Sequence, residues 1–118
     1  MAVYVLHFSG RIGGAGRNGA QHYVGYTPDA REITRLREHA AGRGAKITAA
    51  AVAHGFSLTL ARVLDGGRTL ERAIKYRGHL EKLCPVCTPR PHTPRAARGG
   101  YDYRRVARTD GDAIVVPA

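Results

Sequence analysis

Apolar and polar positions alternate from the start of the chain. Val3-Tyr4-Val5-Leu6-His7-Phe8 is dense in β-branched and aromatic residues and predicts a strand. His22-Tyr23-Val24-Gly25-Tyr26-Thr27 predicts a second. Between them, Ser9 to Gly19 holds five glycines and little that could be buried, which predicts an exposed, mobile loop. Two strands joined in this way pair most simply as antiparallel neighbours, so Tyr4 and Tyr23 are expected close together on the sheet.

The period then lengthens. A helix is expected from about Pro28-Asp29, where proline suits a first turn and an acidic residue suits the helix dipole. Ile33, Leu36 and Ala40 recur at helical spacing, and Gly42 is a stop. On that helix Arg35 and His39 lie four apart and share a face. Ala45 to Ala53 predicts a second, short helix ended by His54-Gly55. Ser57 to Leu64 alternates as a third strand, Asp65-Gly66-Gly67 is a turn signal, and Arg68 to about Lys82 predicts a helix. Leu70 and Ile74 would face the sheet there, with Glu71 beside that stripe and near the sheet's edge.

After Cys87 the pattern is lost. Thr88-Pro89-Arg90-Pro91-His92-Thr93-Pro94-Arg95 cannot sustain regular structure, and the remainder mixes charge, glycine and aromatics without a period. A disordered tail is expected, with Ala113 to Val116 as its one sticky segment. The sequence therefore predicts an α+β fold. A small three-stranded antiparallel or mixed sheet flanked by helices occupies residues 1–87, and a basic Pro/Arg/Gly-rich tail occupies 88–118.

The chain of 118 residues is 43% hydrophobic, enough for one small domain with an aliphatic core, since it has no Trp and only two Phe. Its formal charge is +10. Thirteen Lys and Arg against six Asp and Glu fall in residues 1–87, so the excess belongs to the folded part as well as the tail. A phosphate polymer is the expected partner, because each neutralised phosphate releases condensed counterions. No stretch approaches a membrane-spanning length, and Met1 to Phe8 is too short for a signal-peptide core, so a soluble, cytoplasmic protein without a membrane partner is expected.

Two phenols (Tyr4, Tyr23), a guanidinium (Arg35), an imidazole (His39) and one carboxylate (Glu71) are the groups from which phosphodiester chemistry could be built. Glu71 can hold a hard cation, Mg²⁺ or Mn²⁺, since Mg²⁺ keeps several waters and takes only one or two carboxylates. The plain alternative for Glu71 is an i, i+4 pair with Lys75, worth about 0.3–0.5 kcal/mol. Arg35 suits a bidentate phosphate clamp, and either tyrosine could orient or deprotonate a water if its phenol is assisted. Tyr4, with His39 assisting, is the first choice. The alternative for the tyrosines is a sheet-face aromatic with a satisfied hydroxyl. Arg31, Arg43, Lys46 and Lys75 are candidate backbone-phosphate contacts. Cys84 and Cys87 form a single Cys-x-x-Cys, which together with His79 or His92 could complete a structural zinc site; an unliganded reduced pair is the alternative. His7, His22 and His54 have no spacing that marks them as ligands.

These residues carry a family likeness. Ala2-Val3-Tyr4, Tyr23-Val24-Gly25, Thr27, Arg35-Leu36 with His39, and Glu71-Arg72-Ala73-Ile74-Lys75 follow one another as in the GIY-YIG nuclease superfamily, over roughly Ala2 to Lys82. Gly42-Arg43-Gly44-Ala45 and Cys84-Pro85-Val86-Cys87 also resemble a small single-domain subgroup of actinobacterial or phage-like type. The resemblance implies a divalent-metal-dependent endonuclease that hydrolyses DNA and leaves a 3′-hydroxyl and a 5′-phosphate. It further implies that Glu71 is the metal ligand and that Tyr4, Tyr23, Arg35 and His39 surround the phosphate, with RNA the alternative substrate. Ala2 stands where the family has glycine, and a late asparagine of the family has no counterpart. A nucleic-acid-binding module with this fold and little turnover is therefore the alternative function.

Overall fold

The computed structural model describes residues 1–13, 19–102, 107–110 and 113–116. The predicted loop over 14–18 and the predicted tail over 103–106, 111–112 and 117–118 lie outside the described residues. The elements run in the order β1 (Ala2–Ile12), β2 (Ala20–Thr27), α1 (Glu32–Ala40), α2 (Lys46–Ala53), β3 (Leu58–Asp65) and α3 (Arg68–Arg77). A single 3₁₀ turn, Leu80–Lys82, and the short strands β4 (Gly100–Asp102), β5 (Arg108–Asp110) and β6 (Ala113–Val115) follow.

The three predicted strands form, but the first is longer than expected and carries into the glycine-rich stretch as far as Ile12. The α+β class holds, whereas the three-stranded sheet is corrected among the described residues to five strands in the order β2-β1-β3-β5-β6, with β4 pairing β3 as a sixth. All these pairs are antiparallel. Thr88 to Arg95 carries no regular structure, as expected, but from Gly99 on the described residues of the tail pair along the outer side of β3. Leu60 N donates to Ala107 O at 2.8 Å, Leu58 N to the Thr109 hydroxyl at 2.7 Å, and Asp65 N to Gly99 O at 2.7 Å. The physical reason is that β3 would otherwise present a row of unpaired backbone groups. Strands of three residues have no period of their own and exist only because that edge does.

Alternation along β1 divides the molecule into two cores. Tyr4, Leu6 and Phe8 pack with Leu58, Leu60 and Val63 under Leu36 of α1 and Ala51 of α2. Val3 and Val5 pack with Val24 and Leu64 under Leu70 and Ile74 of α3 and under Leu83. A bulge in β3 keeps both faces filled: Leu6 pairs Leu60 and Val5 pairs Arg62, which leaves Ala61 as the extra residue. The parity change carries Arg62 to the α3 face, where it is buried. There it donates to Leu83 O at 3.2 Å, to His92 O at 2.6 Å and to the Thr93 hydroxyl. A charged donor on three acceptors satisfies the buried guanidinium and holds the start of the tail to the sheet.

α3 stops short of Lys82. Gly78 (φ 69°) and His79 (φ 55°) both take left-handed backbone and reverse the chain before the 3₁₀ turn. Among the described residues, no helix is long and apolar enough to cross a membrane.

Candidate functional site

A pocket of about 450 Å³ opens at the β2 edge of the sheet, lined by Tyr4, Tyr23, Tyr26, Arg35, Glu38, His39, Arg43, Gly44, Arg68, Glu71 and Arg72. It gathers residues from both sides of the sheet. Tyr4 and Tyr23 belong to the face covered by α1, while Tyr26, paired with Val3, belongs to the face covered by α3. Because β2 is the edge strand, side chains from α1 and α3 meet around it. Tyr4, Tyr23, Arg35, His39 and Glu71 are thereby brought together. Four arginines against two glutamates make the pocket a basic one.

Tyr4 starts on the central strand β1, so its ring must cross β2 to reach the pocket. It does so over Gly25, its register partner. An ideal Cβ at Gly25 would stand 2.7 Å from Tyr4 Cε2 and closer still to Cζ and the hydroxyl oxygen, so only glycine leaves room. Gly44 does the same for His39: a Cβ there would stand 2.7 Å from the imidazole Cγ and closer to Nδ1. Gly25 of Tyr23-Val24-Gly25 and Gly44 of Gly42-Arg43-Gly44 thus have a steric role in the site.

The crossing ends in a buried relay. The Tyr4 hydroxyl lies 2.9 Å from His39 Nε2, His39 Nδ1 lies 2.8 Å from the Thr48 hydroxyl, and that hydroxyl donates to Ala45 O at 2.9 Å. A hydroxyl has one proton. With the Thr48 proton committed to Ala45 O, Thr48 accepts from His39 Nδ1–H, which leaves Nε2 as the acceptor for Tyr4 O–H. The tautomer of His39 is assigned by this network. Burial lowers the imidazole pKa below 6.5, Glu38 opposing and Arg35 adding to the shift. Burial likewise raises the Tyr4 phenol above its usual value, with Tyr23 reinforcing it and Arg35 opposing it. Both groups rest neutral. Thr48 was missed in the sequence; its signal is its place in the first turn of α2, where a hydroxyl reaches back three residues to a carbonyl.

Around the relay, the Tyr23 ring packs 4.9 Å from that of His39 and 6.3 Å from that of Tyr4, centroid to centroid. Arg35 donates to Glu38 Oε2 at 3.0 Å. Glu71 lies 3.5 Å from Lys75 Nζ, so the ordinary i, i+4 pair does form. Lys75 Nζ also sits 5.7 Å from the Tyr23 ring centroid. Glu71 is mostly shielded and Lys75 half-exposed. Of the four expected phosphate contacts, Arg43 lines the pocket, Lys75 flanks it through Glu71 and Tyr23, and Arg31 and Lys46 are exposed outside its lining. The oxygen donors that line the pocket, the Glu38 and Glu71 carboxylates and the tyrosine hydroxyls, are hard ligands.

A second cluster lies on the α3 face. Cys84 and Cys87 meet neither His79 nor His92, and the expectation of those partners is corrected. His79 turns to Glu81 at 3.5 Å, and the His92 backbone bonds Arg62 and Lys82. The cysteines meet His7 and His22 instead, with one ligating atom from each of the four residues within 4.8 Å of the others. The legible signal was the hairpin register: pairing Leu6 with Tyr23 sets His7 directly opposite His22. Burial pushes the Cys84 thiol up to about 11, and burial followed by His7 brings the His22 imidazole down to about 4.

Comparison with protein-family models, with curated proteins and with solved structures finds no match to this chain.

Proposed function

We propose that this chain is a divalent-metal-dependent endonuclease of GIY-YIG type that hydrolyses DNA phosphodiester bonds. The observation that carries the reading is the Tyr4–His39–Thr48 relay, which ends in the same basic pocket as Arg35 and Glu71. A phosphodiesterase needs a proton acceptor beside a cationic cradle, and few arrangements of neutral function call for both.

The cradle is Arg35, Arg43, Arg68 and Arg72, which hold a phosphate at the β2 edge. Arg35 exchanges its bond to Glu38 for the phosphoryl oxygens as charge develops there. The Glu71 carboxylate would hold Mg²⁺ or Mn²⁺, whose charge neutralises the phosphoryl group and assists the leaving oxygen. Tyr4 is not a base while its phenol is protonated. As the attacking water gives its proton to the phenolic oxygen, the phenol proton shifts in the same step to His39 Nε2, so that no free phenolate forms. The imidazolium formed keeps its Nδ1–H on the Thr48 hydroxyl, and its low pKa favours release of the surplus proton to solvent, which restores neutral His39 for the next turnover. Tyr23 packs on the His39 ring and fixes its plane.

The test is plasmid nicking in Mg²⁺ by the wild type, Glu71→Ala and Arg35→Ala, with RNA as a parallel substrate. Loss of at least about 100-fold in each variant is expected, the usual scale for removing a group that stabilises transition-state charge. Equal nicking by all three rejects the assignment. Salt-dependent DNA binding without cleavage in Mg²⁺ or Mn²⁺ rejects catalysis in favour of a binding module.

A further inference from the structure

The second cluster is unexplained by hydrogen bonding. His7 Nδ1 lies 3.2 Å from His22 Nε2 and 3.6 Å from each of Cys84 Sγ and Cys87 Sγ, and Cys87 Sγ lies 3.2 Å from His22 Nε2. An imidazole nitrogen has one donor or acceptor site, so His7 Nδ1 can serve only one of its three neighbours. Four soft or borderline atoms from four separate side chains, each facing the others, share a centre and not a chain of bonds.

The distances fit that centre. With Zn–S of about 2.3 Å and Zn–N of about 2.0–2.1 Å, a tetrahedral S₂N₂ site has N···N edges of about 3.4 Å and N···S edges of about 3.6 Å. Four of the six edges run from 3.2 to 3.6 Å, and all four ligating atoms lie within 4.8 Å of one another. The backbone prepares the set. His7 and His22 are register partners on the α3 face of the hairpin. Cys84 and Cys87 are presented by a tight turn in which Cys87 N and Thr88 N both donate to Cys84 O, at 3.1 and 3.0 Å. Two thiolates also neutralise a divalent cation, which allows the set to lie half-buried beside Leu83.

We propose that His7, His22, Cys84 and Cys87 bind one Zn²⁺ as a closed, structural site that staples the start of the tail to the β1–β2 hairpin. Thiolate and imidazole select zinc and exclude Mg²⁺, so this site is chemically separate from the Glu71 pocket. All four positions are filled by protein, which leaves none for a substrate water. The proposal does not rest on the nuclease reading.

The full-length chain is purified under reducing conditions without chelator, and bound metal is counted by elemental analysis. Cobalt is then substituted and its visible spectrum recorded. One zinc per chain and the strong ligand-field bands of tetrahedral cobalt with sulfur ligands are expected. Cys87→Ser, at an exposed position, should weaken zinc at least about 100-fold, since even partners outside the ligand shell cost 10–100-fold. His22→Gln provides a second variant that leaves both thiols in place. Far-UV circular dichroism confirms that each variant folds. No zinc in the folded wild type, or zinc held equally by wild type and both variants, overturns the proposal, as does a Cys84–Cys87 disulfide found in place of metal.

Discussion

Gly25→Ala separates a steric role for this glycine from an ordinary strand position. The backbone at Gly25 is extended and has no positive φ, so alanine can adopt it. In a strand interior alanine is favoured over glycine by about 0.5–1 kcal/mol, and on that ground the variant should be the more stable protein. Against this stands the Tyr4 ring, whose Cε2 would lie 2.7 Å from the new methyl, with two further atoms nearer. Carbon contacts are optimal at about 3.5–4.0 Å, so the ring must withdraw by about 1 Å. Overpacking of this kind costs about 1–3 kcal/mol. Withdrawal also breaks the buried bond from Tyr4 to His39, which adds about 1–3 kcal/mol. The balance is a destabilisation of about 1–5 kcal/mol, measured as a lower urea midpoint at unchanged m. In a Tyr4→Ala background the clash is gone, and the same substitution should stabilise by about 0.5–1 kcal/mol. A neutral or stabilising Gly25→Ala in the otherwise native chain refutes the reasoning, and so does an equal loss in both backgrounds.

Three further outcomes follow from the same contacts. Thr48→Val removes the acceptor for His39 Nδ1–H inside the core and should cost about 1–3 kcal/mol in urea unfolding, with no loss meaning that the relay contributes nothing to the fold. His39 has its pKa depressed by burial, so the stability it supplies is complete above pH 6.5 and is lost as pH falls through the folded value. An NMR titration should give its ring a midpoint below 6.5, and a midpoint at or above that value contradicts the buried relay. Arg62→Ala leaves Leu83 O and His92 O without their charged donor and should destabilise by about 2–4 kcal/mol while exposing residues after Cys87 to limited proteolysis.

The sequence alone determined what local physics can encode. Period-two runs marked β1, β2 and β3, period-3.6 runs marked α1 and α3, an alanine-rich run marked α2, and glycine and proline marked the breaks, because each signal needs only neighbours within a few residues. The five residues that meet in the β2-edge pocket were legible for a related reason: Tyr4 and Tyr23 sit on paired strands, and Arg35 and His39 on one helical face. Glu71 was legible as a neighbour of the stripe that α3 turns to the sheet.

Only the tertiary structure decided the rest. Whether Arg62 faces solvent or core depends on one extra residue at Ala61, and a bulge leaves no trace in alternation until both partner strands are known. β4, β5 and β6 are three residues long and draw their order from an edge far away in the chain. Gly25 and Gly44 read as ordinary strand and loop glycines until the rings that cross them are in place. His7 and His22 carry no ligand spacing, since 15 residues in sequence become direct opposition only in the hairpin register, and their approach to Cys84 and Cys87 requires α3 to end and reverse at Gly78. In each case the deciding interaction joins residues distant in sequence, and no local period can record a contact of that kind.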